Sequence, residues 1–316
     1  MHINLYLFAE NDKKIMIKIL KRVFPVAIII IIFIFLLRSL ILNWSKIPFD
    51  DLHFNIYFLI ISFLCLIPHF LSYGKSWQEV MRALGSPITF TQSCWMIATT
   101  QIAKYIPGRV WYMVGRVYVG KKEKMSGESL AVSMIMETCL LIISVGSIFL
   151  ISTIIAGNYS FTNLLICSIP LLIAFIILIP RILSWIIKHC LRILKKPMVE
   201  LTLSYLQNLK LSIWFFILWF AQIIGFYFLI NAIYTVSLSE IFTLAAAYAL
   251  SWLAGFVVIF APGGLGVREG MMTLLLSSIL PTSLAIAISF IARVWITIFE
   301  IFIFFIGLVV KKKAGS

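Results

Sequence analysis

The sequence predicts an all-α polytopic membrane protein, with about six full spans and two re-entrant broken-helix hairpins that enter from opposite faces. Three observations carry that prediction. Of 316 residues, 62% are hydrophobic and only 12% charged, at a mean hydropathy of +1.07. No water-soluble domain combines so few charges with so many long apolar runs. The net charge of +14 is spread one-sidedly. Basic residues gather in alternate loops, and Lys46 alone falls on the other side. Finally, two apolar runs are broken in the same way, by proline and glycine followed by arginine: Pro107-Gly108-Arg109 and Pro262-Gly263-Gly264 with Arg268.

The charge asymmetry is the positive-inside signature. It places the chain in the cytoplasmic membrane with both termini in the cytoplasm. Anionic inner-leaflet lipid, rather than nucleic acid, is the partner such basic loops suit. Five cysteines without a CxxC spacing and four dispersed histidines give neither a disulfide framework nor a metal site, so no cofactor is expected.

Residues 1–22 form a Lys-rich cytoplasmic tail, and 23–310 a single transmembrane domain followed by a second tail, 311–316. Residues 23–42 are long enough to be an uncleaved first span. A second span runs over about 52–73, and 74–87 (GKSWQEVMRALGSP) reads as an interfacial elbow anchored by Trp77. From Thr89 an apolar run reaches Lys104 and the first break, and the short run after it returns to Lys121 and Lys122. Basic loops on both sides make this a hairpin entered from the cytoplasm.

A span over 128–156 carries Glu137, and another ends at Pro180. Residues 181–210 alternate basic and apolar side chains, as does a helix lying on the inner leaflet. A span over 211–232 follows. The run from Glu240 through the second break to Leu280 has no basic flank, so it enters from outside. The last span, 281–310, holds Arg293 and Glu300. The halves 52–156 and 211–310 each read span, hairpin, span in opposite orientation, which is inverted-repeat grammar.

Ionisable groups and helix breakers at membrane depth are costly unless buried in protein or facing a wet cavity. Five cations stand there, Lys104, Arg109, Arg116, Arg268 and Arg293, against Glu137, Glu269 and Glu300. Ion pairing absorbs three cations and leaves two over. Surplus arginine suits phosphate, which guanidinium binds bidentately. Pro107 and Gly108 open one helix, and Gly263, Gly264 and Gly266 the other, where free amides and the helix dipole also favour an anion. The same glycines equally serve close helix packing. Arg109, Arg116 and Arg268 are the expected phosphate holders. The three glutamates are expected to balance them and to carry any coupling proton.

At these residues the chain resembles the flippase-like family that includes the transmembrane region of lysylphosphatidylglycerol synthase. The carriers are QIAKYIPGRVWYMVGR (101–116), Glu137, APGGLGVREG (261–270) and Arg293. The resemblance covers about 52–310. It implies movement of a polar-headed lipid between leaflets, with the broken helices at the site, and a link to glycosyltransferases. The family often has arginine after the span-four glutamate, where this chain has Thr138. The soluble aminoacyl-transfer domain of the two-part enzymes has no counterpart, so lipid lysylation is not expected.

The expected function is therefore ATP-independent flipping of an anionic lipid, a polyprenyl-phosphate-linked sugar or a plain or aminoacylated phospholipid. No GxxxxGK[ST], HExxH or GxSxG occurs. A membrane-embedded glycosyl- or phosphotransferase is the first alternative, with Asp50-Asp51 its one adjacent acidic pair. A scaffold for a glycosyltransferase is the second. A homo-oligomer is left open.

Overall fold

The computed structural model describes residues 41, 52–106, 110–157, 176, 179–193, 204–258 and 261–314. The expected tail 1–22, nearly all of the first span and most of the span ending at Pro180 lie outside the described residues. So do Pro107, Gly108 and Arg109. Among the described residues the fold is entirely helical, and five helices are long and apolar enough to cross a membrane.

Helix α1 (Ile56–Ala83) starts where the Asn55 side chain accepts the amides of Tyr57 and Phe58. It runs straight through the expected elbow. Trp77 is not an interfacial anchor: it is fully buried, and its indole N–H donates to Ser133 Oγ at 3.1 Å. The physical cause is the run of small residues Ser72, Gly74 and Ser76, which lets neighbouring helices close over this end of α1.

Thr89 and Gln92 form a reciprocal capping box at the start of α2 (Phe90–Gln101). A 3-10 turn over Ile102–Tyr105 leads into the first break, and α3 (Trp111–Lys122) leaves it. Ser126 caps α4 (Gly127–Ile155). The amphipathic α5 (Pro180–Ile193) exposes Arg181, Trp185 and Arg192.

Helix α6 (Tyr205–Asn231), capped by Ser204 and Gln207, begins earlier than the expected span, so residues 205–210 belong to it and not to the surface segment. After a 3-10 turn (Leu238–Glu240) comes α7 (Ile241–Val257), and together they are long enough to cross. The second break holds a 3-10 turn (Pro262–Gly264), followed by α8 (Val267–Leu276) and α9 (Thr282–Ala314).

The helices exchange partners between halves. α1 makes its most extensive contact with α6, the helix in the same place in the other half. α9 packs on α2, and α4 packs on α7. The last helix of each half therefore packs on the helix that precedes the break of the other half. The two 3-10 turns meet between them.

Lipid tails are as apolar as leucine, so such packing depends on close approach. At the α1–α6 crossing Gly225 has Ser62 O 3.0 Å and Trp295 Cζ2 3.0 Å from the position of an added Cβ. Gly225→Leu should therefore cost about 1–3 kcal/mol through overpacking against backbone. Gly146→Ala in α4, where nothing lies within 4 Å, should be neutral or stabilising by up to about 1 kcal/mol. Thermal aggregation of the detergent-solubilised variants checks both.

Candidate functional site

The site is built where the two breaks touch. Three ion pairs surround the contact. Arg116 on α3 meets Glu137 on α4 at 2.6 Å, Lys104 of the first break meets Glu300 on α9, and Arg293 on α9 faces Glu269 on α8 at 3.6 Å.

The first pair is closed to any ligand. Arg116 is 0% exposed and Glu137 2%. Tyr73 donates its hydroxyl to the second Glu137 oxygen, and the guanidinium lies over the Trp77 ring at 5.0 Å. Arg116 is thus not a phosphate holder in this arrangement. Its charge is already matched, and aromatic faces and Thr100 cover the rest.

The other two pairs tie the breaks together. Tyr105, the last residue of the first 3-10 turn, donates to Glu300 Oε2 at 2.8 Å, and its hydroxyl also lies 3.0 Å from Thr297 Oγ1. Arg293 lies over the Tyr105 ring at 5.2 Å and donates from Nη2 to the Gly263 carbonyl at 2.9 Å. The 3.6 Å separation of Arg293 and Glu269 is close enough for attraction and too long for a hydrogen bond.

The glycines of the second break do several different things. Gly263, Gly264 and Gly266 all have positive φ, at 57°, 74° and 82°, a region that costs glycine little. A Cβ on Gly264 would lie 2.9 Å from Gly255 Cα, so Gly264 seats the break on α7. Its amide already donates to Ala261 O, and the Gly266 amide to Glu269 Oε2. Those two amides are therefore not open donors for an anion, and packing and capping account for them.

Between the breaks lies a cavity of about 70 Å³, room for several waters. Both halves line it, with Gln101, Lys104 and Tyr112 from one and Trp252, Arg268 and Arg293 from the other. Gly263 opens onto it, and Thr138 projects into it from α4 where the resemblance suggests arginine. Its lining contains three cations and no carboxylate among the described residues. Arg268 has no ion-pair partner there and rests over the Tyr248 ring at 4.9 Å.

A family model described as the lysylphosphatidylglycerol synthase TM region matches residues 20–303. The chain belongs to that family. Membership, with five apolar helices, makes it a multi-pass membrane protein with a membrane-lipid function. No curated protein matches the chain.

Within the family's matched region the structure brings Lys104, Gly263, Arg268 and Arg293 to one cavity, with Glu269 and Glu300 behind them, and sets Arg116 and Glu137 apart. Sequence reasoning missed the aromatic members. Tyr105 adjoins the break and could have been found there. Tyr73 and Tyr248 carry no local signal, because tyrosine in an apolar helix reads equally as an interfacial residue.

Removing one member of a buried pair strands the other charge. Glu137→Ala should destabilise by about 3–5 kcal/mol, while Arg116→Met with Glu137→Leu should recover most of that loss. Thermal melts in detergent distinguish the two. A double variant no better than the single would show that the pair itself is not the source of the loss.

Proposed function

We propose that this protein moves an anionic, polar-headed lipid between the two leaflets without nucleotide hydrolysis. The headgroup phosphate occupies the cavity between the breaks, and Arg268 is its principal ligand. Lys104 and Arg293, each already facing a glutamate, line the same cavity but add little net charge. The single observation that carries this reading is charge accounting. Glu137, Glu269 and Glu300 are each engaged by another cation, while Arg268 faces a polar cavity with no carboxylate partner among the described residues. An arginine held at membrane depth without a counter-ion is a binding group awaiting an anion.

The partner exchange between halves supports inverted repeats with re-entrant hairpins, which would let the cavity open to either side by rocking one half against the other. On that reading the hydrocarbon chains stay in the bilayer, since the cavity holds about 70 Å³. The preferred substrates are a polyprenyl-phosphate-linked sugar, then a plain or aminoacylated anionic phospholipid.

Losing a charge-assisted hydrogen bond costs about 1.5–3 kcal/mol, so Arg268→Ala should slow translocation by about ten- to a hundredfold. Arg268→Lys, which keeps the charge but loses the planar fork, should fall between. The assay is quencher protection of fluorescent phosphatidylglycerol in vesicles carrying the purified chain. Movement that is equal in wild type and Arg268→Ala would remove Arg268 from the site. No movement of any anionic lipid by folded wild type would favour an enzymatic or scaffolding role.

A further inference from the structure

A groove of about 340 Å³ runs between α1, α2 and α9, and its walls are almost wholly apolar: Ile67, Phe70, Trp95, Ala98, Phe302 and Ile306 are among them. It exists because small residues meet at its floor. An added Cβ on Gly307 would lie 2.7 Å from Ala98 Cβ, so α2 and α9 touch there and leave a hollow beside the contact.

The groove and the cation-lined cavity lie on either side of one small chamber. A narrow chamber of about 30 Å³ shares Phe70, Phe299 and Ile303 with the groove and Tyr73 and Gln101 with the cavity. His69 and Glu300 also line this neck. His69 Nδ1 lies 3.0 Å from the Leu218 carbonyl, which can only accept, so Nδ1 carries a proton. At the other end of the groove Val310 is followed by Lys311, whose ammonium lies 5.3 Å from the centre of the Trp95 ring. A positive charge thus stands at the mouth, hydrocarbon walls follow, and a partly polar chamber separates them from the cavity of Arg268 and Arg293.

We propose that this groove is the binding site for one hydrocarbon chain of an anionic membrane lipid, and that the lipid reaches the cavity sideways along it. The inference rests on the translocation reading and adds the route. Lys311 attracts the headgroup at the leaflet surface. The chain then lies in the groove between α2 and α9. The headgroup passes His69 and Glu300 to the cavity while its chain remains in hydrocarbon throughout. Charge at the mouth, the shared walls with the chamber beside the cavity and the apolar lining select this occupant over a protein segment.

The test uses the full chain in vesicles with phosphatidylglycerol that carries a diazirine midway along one acyl chain, and adducts are mapped by mass spectrometry. Adducts should concentrate on residues 90–98 and 299–310. Thr91→Trp, at an exposed position of the groove wall, should remove them and slow translocation several-fold, because the indole takes the space of the chain. A diacylglycerol probe, which has no charge, should label the groove several-fold less.

Adducts spread evenly over the lipid-facing helices, or found on residues 23–42 lying in the groove, would overturn the proposal. So would equal labelling by the uncharged probe, or a Thr91→Trp protein that translocates like wild type. The two readings fail separately. Groove adducts that Thr91→Trp abolishes, in a wild type that moves no lipid, would keep the groove and sink translocation. Loss of transport in Arg268→Ala but not in Thr91→Trp would keep the headgroup site and sink the groove.

Discussion

A cation at membrane depth has little bulk water to fall back on, so it needs a counter-charge from a neighbouring helix or a polar cavity to face. Arg116 and Glu137 meet that demand most completely, with both groups buried and Tyr73 and Trp77 closing the remaining faces. That pair joins α3 to α4. In the other half the corresponding helices, α8 and α9, are joined by Glu269 and Arg293 with the signs reversed. The helix after each break is thereby fixed to the helix that follows it. Lys104 and Glu300 add the link between halves, from the first break to α9.

Given those pins, the backbone must come close enough for the pairs to form, and the small residues make that possible. Gly264 against Gly255 brings the second break onto α7, Gly307 against Ala98 brings α9 onto α2, and Gly225 against Ser62 joins α6 to α1. Van der Waals packing is the main attraction available between helices in lipid. The polar breaks and the glycine contacts are therefore one design. The first need the second to place a glutamate within reach of each paired cation.

Hydropathy and the two proline-glycine breaks made the helical membrane class and the interrupted helical segments legible, because each reflects a solvation cost that acts residue by residue. The elbow at 74–87 was misread for a related reason. Its glycine and serines look like a loop by composition, and only the neighbouring helices reveal them as packing positions around Trp77. In the site, the balance of cations over glutamates could be counted from sequence, but not which pairs form. Arg116 and Glu137 are 21 residues apart, whereas Lys104 and Glu300 are 196 apart. Periodicity along one helix says nothing about the second kind. The glycines of the second break were ambiguous between anion nest and packing, and the Gly264–Gly255 contact favours packing there.

On the translocation reading, the same pairing would also let the cavity release what it binds. Three bare cations around a small, water-poor space would hold a phosphate too tightly to let it leave, because attraction between charges grows steeply as the local dielectric falls. Two of the three, Lys104 and Arg293, already face a glutamate, so their fields are largely spent before any ligand arrives. Arg268, resting on the Tyr248 ring, is left as the dominant charge. A carrier must bind well enough to draw a headgroup out of the interface and weakly enough to give it up on the other side. On that reading one guanidinium without an ion-pair partner among the described residues, flanked by two largely neutralised cations, meets both conditions, whereas a fully cationic cavity would meet only the first.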